Sequence, residues 1–419
     1  MTPAELTEVR GRLEDFAGEV FTSFARREQR SNGGLYLRGL MLDGRRKSMV
    51  PMAERLGVDH QRLQQFITSS TWDYRAARRR LAARAIGQVA PEAWVLDDTG
   101  HVKDGDASPG VARQYTGTAG KVTNCQIAVS VHAVTDTCSA ALDWRLFLPE
   151  GWDDTLAEEA DQAGRVAQRR RRCQIPDHER HRPKWQLALE MLDELAAWGH
   201  VPPLVVADAG YGDITALRLG LTARDIPYIV SVKGSTSAYA ADARPETTPY
   251  AGTGRRPTAR YRTKHSNLRE LVMSAGRSQL RRVTWRQGSK HTKGNPTAKM
   301  TSRFIALRVR PANRDIPRGE DGHLPECWLL AEWPPGESEP TDYWLSTLPA
   351  DIRLRDLVRL AKIRWRIEHD YRELKTGLGL THFEGRSFTG WHRHVTLVSA
   401  AHLFLTELRL TSPKAAGAA

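Results

Sequence analysis

The sequence predicts a mixed α/β protein with a helical region at its N-terminus. Apolar residues recur at helical spacing through residues 4–90. Short apolar segments typical of strands follow, first in succession and then alternating with helices, and two helical segments close the chain. This order indicates a mixed sheet with helices packed against it.

Within the N-terminal region, residues 49–70 have the pattern of a helix-turn-helix. Ala53 supplies the small residue of the first helix, and Gly57 stands where the turn glycine is expected. The second helix would then present Gln61 and Gln64 to a DNA groove, where amide side chains can read bases. A plain helical hairpin without DNA contact is the alternative.

Eight strands and three longer helices are predicted after residue 90. The predicted strands are WVLDDT, NCQIAVSVHAVT, CSAALDWRLFLP, PPLVVADAGYG, PYIVSVK, RFIALRVRP, CWLLAEWP and DYWLSTLP. The predicted helices are KWQLALEMLDELAAWG, LRDLVRLAKIRWRIEHDYRELKTGLG and WHRHVTLVSAAHLFLTELRL. The residues that follow the last helix, 411–419, are predicted to be disordered.

The positive charge of the chain is concentrated in two segments. The net charge is +13, and residues 234–300 carry 14 Lys and Arg against 3 Asp and Glu, a local excess of +11. This segment is poor in apolar periodicity and is predicted to be an exposed basic arm or hairpin that follows a phosphate backbone, with Arg255 and Arg256 as candidate DNA contacts. A second cluster, RVAQRRRR, occupies residues 165–172. Such an excess favours nucleic acid as the partner, and a basic enzyme that binds no polyanion is the alternative.

Other features exclude several classes of protein. No apolar run reaches membrane-spanning length, and the charged N-terminus does not resemble a signal peptide. The four cysteines have no CxxC spacing, which argues against a zinc site or a disulfide framework and predicts a reducing cytoplasm. No membrane partner is expected.

Acidic residues at three places indicate a metal-dependent reaction on phosphates. Asp97 and Asp98 lie in the first strand, Asp208 ends the apolar segment VVAD, and Glu368 lies in a C-terminal helix. Carboxylates that converge from separate elements form an all-oxygen site suited to Mg²⁺ or Mn²⁺. Two such ions could stabilise both oxygens of an in-line displacement at phosphorus.

The spacing around Glu368 predicts one charged face on a continuous helix. Arg364 lies four residues before Glu368 and Lys375 lies seven after it, so the three share a stripe. Glu373 is rotated away and is the weaker candidate. A surface ladder of ion pairs is the alternative explanation of the stripe.

These motifs resemble the DDE superfamily of transposases, in particular bacterial insertion-sequence transposases with a β-rich insertion before the Glu. The resemblance rests on the order Asp, Asp, Glu, on the helix pattern RxxxExxxxxxK, and on strings such as VLDDTG, VVADAGYG and RWRIEHDYRELKTGLGL. It covers roughly residues 10–408. One position departs from the family pattern, because Ala361 stands where a tyrosine is expected seven residues before the Glu.

The resemblance implies an RNase H-like core and a domain order. The expected regions are a helix-turn-helix-like DNA-binding region at 1–90, the first part of the core at 91–233, a basic β-rich insertion at 234–348, the C-terminal helices of the core at 349–410 and the tail at 411–419. The 160 residues between Asp208 and Glu368 leave room for such an insertion.

The resemblance also implies the function. It predicts a transposase that binds the terminal inverted repeats of its own element and cleaves and transfers DNA strands with two Mg²⁺ or Mn²⁺ ions. The expected metal ligands are Asp97, Asp208 and Glu368, and the expected phosphate contacts are Arg364, Lys375 and Arg372. The expected partners are double-stranded DNA at the element ends and at the target, and a second copy in a synaptic complex. A bacterial cytoplasmic, nucleoid-associated protein is expected, and a domesticated or inactive DNA-binding derivative is the alternative.

Only one of the two neighbouring aspartates can face the site if the strand is regular, because successive side chains point to opposite faces. RNase H-like enzymes usually have Ser or Thr two residues after the first catalytic Asp. Counting from Asp97 gives Thr99, whereas counting from Asp98 gives Gly100. Asp97 is therefore the predicted ligand and Asp98 the second candidate, expected at the strand end in contact with solvent or backbone.

Overall fold

The computed structural model describes residues 2–250, 252–254, 259–288, 291–293 and 295–411. These residues form thirteen α-helices and twelve β-strands. The helices are α1 (Pro3–Val20), α2 (Arg27–Met41), α3 (Met49–Leu56), α4 (His60–Thr68), α5 (Tyr74–Val89), α6 (Ala160–Arg172), α7 (Lys184–Ala197), α8 (Ala209–Gly212), α9 (Thr215–Thr222), α10 (Leu268–Ala275), α11 (Leu354–Lys362), α12 (Trp365–Arg372) and α13 (Phe388–Thr411). The strands are β1 (Ala93–Val102), β2 (Ala112–Thr116), β3 (Lys121–Val134), β4 (Ser139–Leu146), β5 (Val205–Ala207), β6 (Tyr228–Val232), β7 (Ser237–Ala240), β8 (Ser266–Asn267), β9 (Arg281–Gln287), β10 (Lys299–Pro311), β11 (Cys327–Glu332) and β12 (Asp342–Ser346).

The chain divides into two compact units. The first unit comprises residues 1–201 and 365–419, and the second unit comprises residues 202–364. The first unit therefore contains α1–α7, β1–β4, α12 and α13, and the second contains the remaining elements. The domain boundaries expected from the sequence remain predictions.

The N-terminal helices of the first unit share their core with the last helix. α13 packs against α2, α4 and α5 and is buried on nearly every side. Helix α3 ends at Gly57, whose φ of +66° is a left-handed conformation that glycine adopts without strain. Asp59 then caps α4 by accepting the backbone N–H of Gln61 at 2.9 Å. The two helices and the glycine turn expected in this segment are present, and contact of this segment with DNA stays a prediction.

The sheet of the first unit is antiparallel. β3 pairs with β1 along one edge and with β2 and β4 along the other. β1 runs to Val102 without a register shift against β3. Its polar residues Thr99 and His101 are buried. At Gly100 an added Cβ would lie 1.8 Å from Oγ1 of Thr116, so no larger residue fits there unless Thr116 moves. The strand is thus longer than the predicted segment, which ended at Thr99.

The second unit contains a mixed sheet. β5 and β6 are parallel, and β12, β11, β10, β7 and β8 continue from β6 in antiparallel order, with β9 on β10. The mixed α/β class is confirmed, and this class is consistent with the RNase H-like fold that the resemblance implies. Strands β10, β11 and β12 confirm the three strands predicted between residues 303 and 349.

Two predicted segments have a different structure. The basic segment 234–300 contains α10, β7, β8 and β9 in addition to loops, because Leu268, Val272 and Val283 supply buried apolar positions that a count of charges overlooks. The long helix predicted from residue 354 is broken after Lys362 and resumes at Trp365, and α12 passes into a π-helical turn at Glu373–Gly377.

α13 includes Thr411, and the remainder of the predicted disordered tail, 412–419, lies outside the described residues. Among the described residues, no helix combines the length and the apolar character needed to cross a bilayer.

Candidate active site

Asp97 lies near the middle of β1 and is nearly buried, with 8% of its surface exposed. Its Oδ1 accepts the backbone N–H of Asp98 at 2.7 Å. In the β1–β3 register Asp97 is directly opposite Ser130, so the two side chains are on the same face of the sheet. A carboxylate in such a position requires positive charge nearby.

Asp98 faces the other side of the sheet. Its Oδ2 accepts a hydrogen bond from Nζ of Lys184, the first residue of α7, at 2.9 Å. The expectation that Asp98 ends the strand is wrong, because β1 continues for four residues. The side chain of Asp98 is 23% exposed and is also paired with a lysine. The ammonium group of Lys184 therefore compensates the negative charge of Asp98, and this carboxylate needs no metal ion for that purpose.

Helix α12 packs on the face that carries Asp97. The hydroxyl of Tyr371 and that of Ser130 are 2.7 Å apart, and Nδ1 of His132 lies 3.1 Å from Oδ2 of Asp370. His132 is two residues from Ser130 on β3 and therefore points to the same face. α12 also packs against β1 and carries the exposed Glu368. The two carboxylates predicted from β1 and the C-terminal helix thus belong to elements in contact.

The predicted charged stripe is not the face of one continuous helix. Arg364 precedes the first residue of α12, and Lys375 lies in the π-helical turn, which changes the angular spacing of the side chains. Arg372 is the last residue of α12 and is exposed. A turn at residues 363–364 separates α11 from α12.

Lys375 is nevertheless close to Asp97. Its Nζ donates to Oγ1 of Thr118 at 2.8 Å, and the same oxygen accepts the backbone N–H of Gly100 at 3.3 Å. Burial lowers the pKa of Lys375 to about 8, and the charge of Asp97 opposes this shift. The lysine therefore supplies part of the positive charge that the buried Asp97 requires.

Asp208 belongs to the second unit, directly after the buried strand β5. It is the N-cap of the short helix α8, and its Oδ1 accepts the backbone N–H of Tyr211 at 3.3 Å. The sequence prediction that Asp208 ends an apolar strand just before a glycine-bearing turn is confirmed.

The donor set has the chemistry that Mg²⁺ or Mn²⁺ prefers. In the described part of the chain, no group of three or more His, Cys, Asp and Glu side chains is close enough to hold a metal ion. Mg²⁺ is commonly bound by one or two carboxylates, with water and substrate phosphate oxygens as the other ligands. The nearly buried carboxylate of Asp97 and the exposed one of Glu368, on elements that pack together, fit that mode of binding.

The side chains predicted to read DNA are exposed on α4. Gln61 and Gln65 line a polar cleft of about 530 Å³ beside α2. Gln64 lines a smaller cleft, of about 190 Å³, beside the segment 382–385. Leu63 and Phe66, on the opposite side of α4, are buried. The predicted contacts Arg255 and Arg256 lie outside the described residues.

The basic cluster at residues 165–172 is only partly available to a partner. Arg170 is 3% exposed and donates to the backbone carbonyls of Trp152 and Glu179. The guanidinium of Arg169 stacks on the ring of Trp152, with its carbon 3.7 Å from the ring centroid. Consecutive arginines on a helix cannot all face solvent, so the count of charges overstated this surface.

A second basic surface is formed by β9 and β10. Arg282 and Arg303 are directly opposite each other in the register and both are exposed. The hydroxyls of Thr284 and Thr301 form the neighbouring cross-strand pair, 2.7 Å apart. Like charges opposite each other destabilise a sheet, so an anion bound between the two arginines would stabilise this hairpin.

Several residues around Asp97 were missed by the sequence argument. Three of them, Lys184, Ser130 and His132, stand far from the acidic motifs along the chain and have no distinctive local pattern. Only the alternation of side chains along β3 could have placed Ser130 and His132 on one face, and their pairing with β1 requires the register.

Two comparisons show which known proteins this chain is similar to. The family model described as DDE superfamily endonuclease matches residues 19–292. A curated protein from Microchaete diplosiphon, described as a probable transposase for insertion sequence element IS701, is 29% identical over 202 residues. That alignment covers 47% of this chain and 47% of the relative, so the match spans about half the length of each.

Proposed function

Because this chain belongs to the family of DDE-superfamily endonucleases, we propose that it is a transposase that cuts DNA at the ends of its own insertion sequence and joins the ends to target DNA. The observation that carries the proposal is that Asp97 and the helix of Glu368 share one face of the β1–β3 sheet. The similarity to a probable transposase for insertion sequence element IS701 also supports it.

We assign Asp97, Asp208 and Glu368 as the carboxylates that bind two divalent ions. Mg²⁺ or Mn²⁺ bound there would stabilise the charge on the attacking and leaving oxygens of the phosphodiester. Positioning and charge stabilisation account for most of the catalysis in phosphoryl transfer, so little covalent chemistry is asked of the side chains. Lys375, beside Asp97, would hold a phosphate next to the cleaved bond, and Arg364 and Arg372 would contact the flanking backbone.

DNA recognition is assigned to two surfaces. Gln61 and Gln64 on α4 would read bases of the terminal repeat, since glutamine can form two hydrogen bonds with adenine. Arg282 and Arg303 on the β9–β10 hairpin would hold the phosphate backbone. Two chains would bring the two element ends together, in the bacterial cytoplasm and on the nucleoid.

The test is cleavage of duplexes that carry the DNA from either flank of the gene, in the presence of Mg²⁺ or Mn²⁺. Asp208→Asn and Glu368→Gln should lose cleavage and still bind the duplex, because each removes one ligand charge. The matched controls are Asp213→Asn and Glu384→Gln, whose carboxylates pair with Lys233 and Arg46 and which should cleave normally.

Full cleavage by folded Asp208→Asn or Glu368→Gln would contradict the ligand assignment. Sequence-specific binding of the flanking DNA without metal-dependent cleavage by the native chain would instead favour the domesticated or inactive derivative. Ala361, on α11, favours the inactive derivative as the alternative, because it replaces the tyrosine of the family pattern.

A further inference from the structure

The orientation of α12 cannot be fixed by its own backbone. The helix has eight residues, follows a break at residues 363–364 and ends in a π-helical turn. A helix this short is marginal by itself and depends on tertiary contacts. The side chains on its inner face therefore determine where Glu368 stands.

The first of these contacts is made by Asp370, which is fully buried. Its Oδ1 accepts the hydroxyl of Ser139, on β4, at 2.6 Å, and its Oδ2 faces Nδ1 of His132, on β3, at 3.1 Å. The same Ser139 oxygen accepts a hydrogen bond from Nε of Arg366 at 3.1 Å. Loss of a partner leaves a buried carboxylate uncompensated and strongly destabilises the folded state. These contacts therefore favour a single position of the helix.

The second contact is made by Glu373, the first residue of the π-helical turn. Its carboxylate lies 3.3 Å from Nε2 of His402, on α13, and 2.7 Å from two nitrogens of Arg409. Lys375 follows two residues later in the same turn. The pairing of Glu373 with α13 therefore holds the turn that brings Lys375 to Asp97.

We infer that His132 and His402 are positioning residues, which act through Asp370 and Glu373 to hold Glu368 and Lys375 beside Asp97. The inference rests on the proposed function and adds to it. Neither histidine is a metal ligand in this scheme, because both point into the protein core and both are about 1% exposed or less. Mutation of residues that orient metal ligands commonly changes metal affinity or activity by about 10- to 100-fold.

The test compares two polar replacements of one histidine. In His132→Asn the side-chain amide takes the place of Nδ1 and can still donate to Asp370, whereas in His132→Gln it takes the place of Nε2 and cannot. His402→Gln and His402→Asn form the reciprocal pair, since Nε2 is the nitrogen that faces Glu373. The control is His392→Gln, which replaces an equally buried histidine of α13 that contacts Arg78 and not α12.

Two quantities are measured on the full chain. One is the Mg²⁺ concentration for half-maximal cleavage of flank DNA. The other is the Kd for Mn²⁺ with pre-cleaved end DNA bound, from the electron paramagnetic resonance signal of free Mn²⁺. We expect His132→Gln and His402→Asn to raise both quantities by about tenfold, and His132→Asn and His402→Gln to remain near the native values. His392→Gln should lower the melting temperature without a change in either quantity.

The inference would be overturned if folded His132→Gln and His402→Asn had the same Mg²⁺ concentration for half-maximal cleavage and the same Kd for Mn²⁺ as the native chain. This holds even if both variants melt at lower temperature. Failure of the proposed function has a different signature. In that case Asp97→Asn and Glu368→Gln would bind Mn²⁺ as the native chain does.

Discussion

Neighbouring carboxylates in this protein have different electrostatic surroundings. Asp98 is paired with Lys184, whereas Asp97 is nearly buried, opposite Ser130 and close to Lys375. The resemblance to RNase H-like enzymes, through Thr99 two positions after Asp97, favoured Asp97 as the metal ligand, and this assignment stays a prediction. The lysine partner of Asp98 could not be predicted, because 86 residues separate the two along the chain.

Glu373 gives a prediction for stability against pH. Burial alone would raise the pKa of Glu373, but the approach of His402 to 3.3 Å and the hydrogen bond from Arg409 lower it from 4.5 to about 2. A carboxyl whose pKa is lower in the folded state stabilises the fold above pH 4.5, and this contribution is lost as the pH falls towards 2. Urea unfolding at pH 6 and at pH 3 should therefore show a larger loss of unfolding free energy in the native chain than in Glu373→Gln. Equal losses would contradict the assigned contacts.

At the scale of elements, the sequence predicted helices and strands well where apolar residues recur regularly. The helix-turn-helix was predicted because Gly57 and the buried Ala53, Leu63 and Phe66 follow a spacing that backbone geometry dictates. The break between α11 and α12 was not predicted, because no proline or glycine marks it. Asp370 and Glu373 hold α12 and the π-helical turn through contacts with β3, β4 and α13, and local spacing does not encode these contacts.

The second helix of this motif gives a prediction about specificity. Gln61→Ala and Gln64→Ala should each weaken binding of flank DNA by about 1–3 kcal/mol, measured by fluorescence anisotropy, and leave binding to unrelated duplex unchanged. The physical reason is the loss of two hydrogen bonds to one base. Gln88→Ala, an exposed glutamine on α5, is the control. An equal loss on both kinds of DNA would mean that α4 does not read sequence.

At the scale of the whole molecule, the net positive charge predicted nucleic acid as the partner but did not predict which surface would bind it. The excess of +11 in residues 234–300 is real, yet this segment folds into α10 and the strands β7, β8 and β9 instead of forming only an arm. In the cluster at 165–172, Arg170 is buried. A count of charged residues does not show which guanidinium groups donate to backbone carbonyls. It also does not show which residues are opposite each other, so only the strand register revealed that Arg282 is paired with Arg303.

The salt dependence of DNA binding tests that pairing. If Arg282 and Arg303 each neutralise one phosphate, then Arg282→Ala and Arg303→Ala should each reduce the slope of log K against log salt concentration by about 0.9. Arg308→Ala, on the same strand β10, is the control because Glu326 already pairs with Arg308 at 2.7 Å. A slope unchanged in Arg282→Ala and Arg303→Ala would place the phosphate contacts elsewhere.

The central claim is that Asp97, and not Asp98, joins Glu368 in a metal-dependent active site. The most direct measurement is Mn²⁺-dependent cleavage of flank DNA by Asp97→Asn and by Asp98→Asn, with both variants shown to be folded and to bind the duplex. The two substitutions are chemically identical and adjacent, so general damage to β1 is controlled. We predict that Asp97→Asn abolishes cleavage and that Asp98→Asn, which removes only the charge paired with Lys184, retains most of it. Cleavage by Asp97→Asn together with loss in Asp98→Asn would contradict the account.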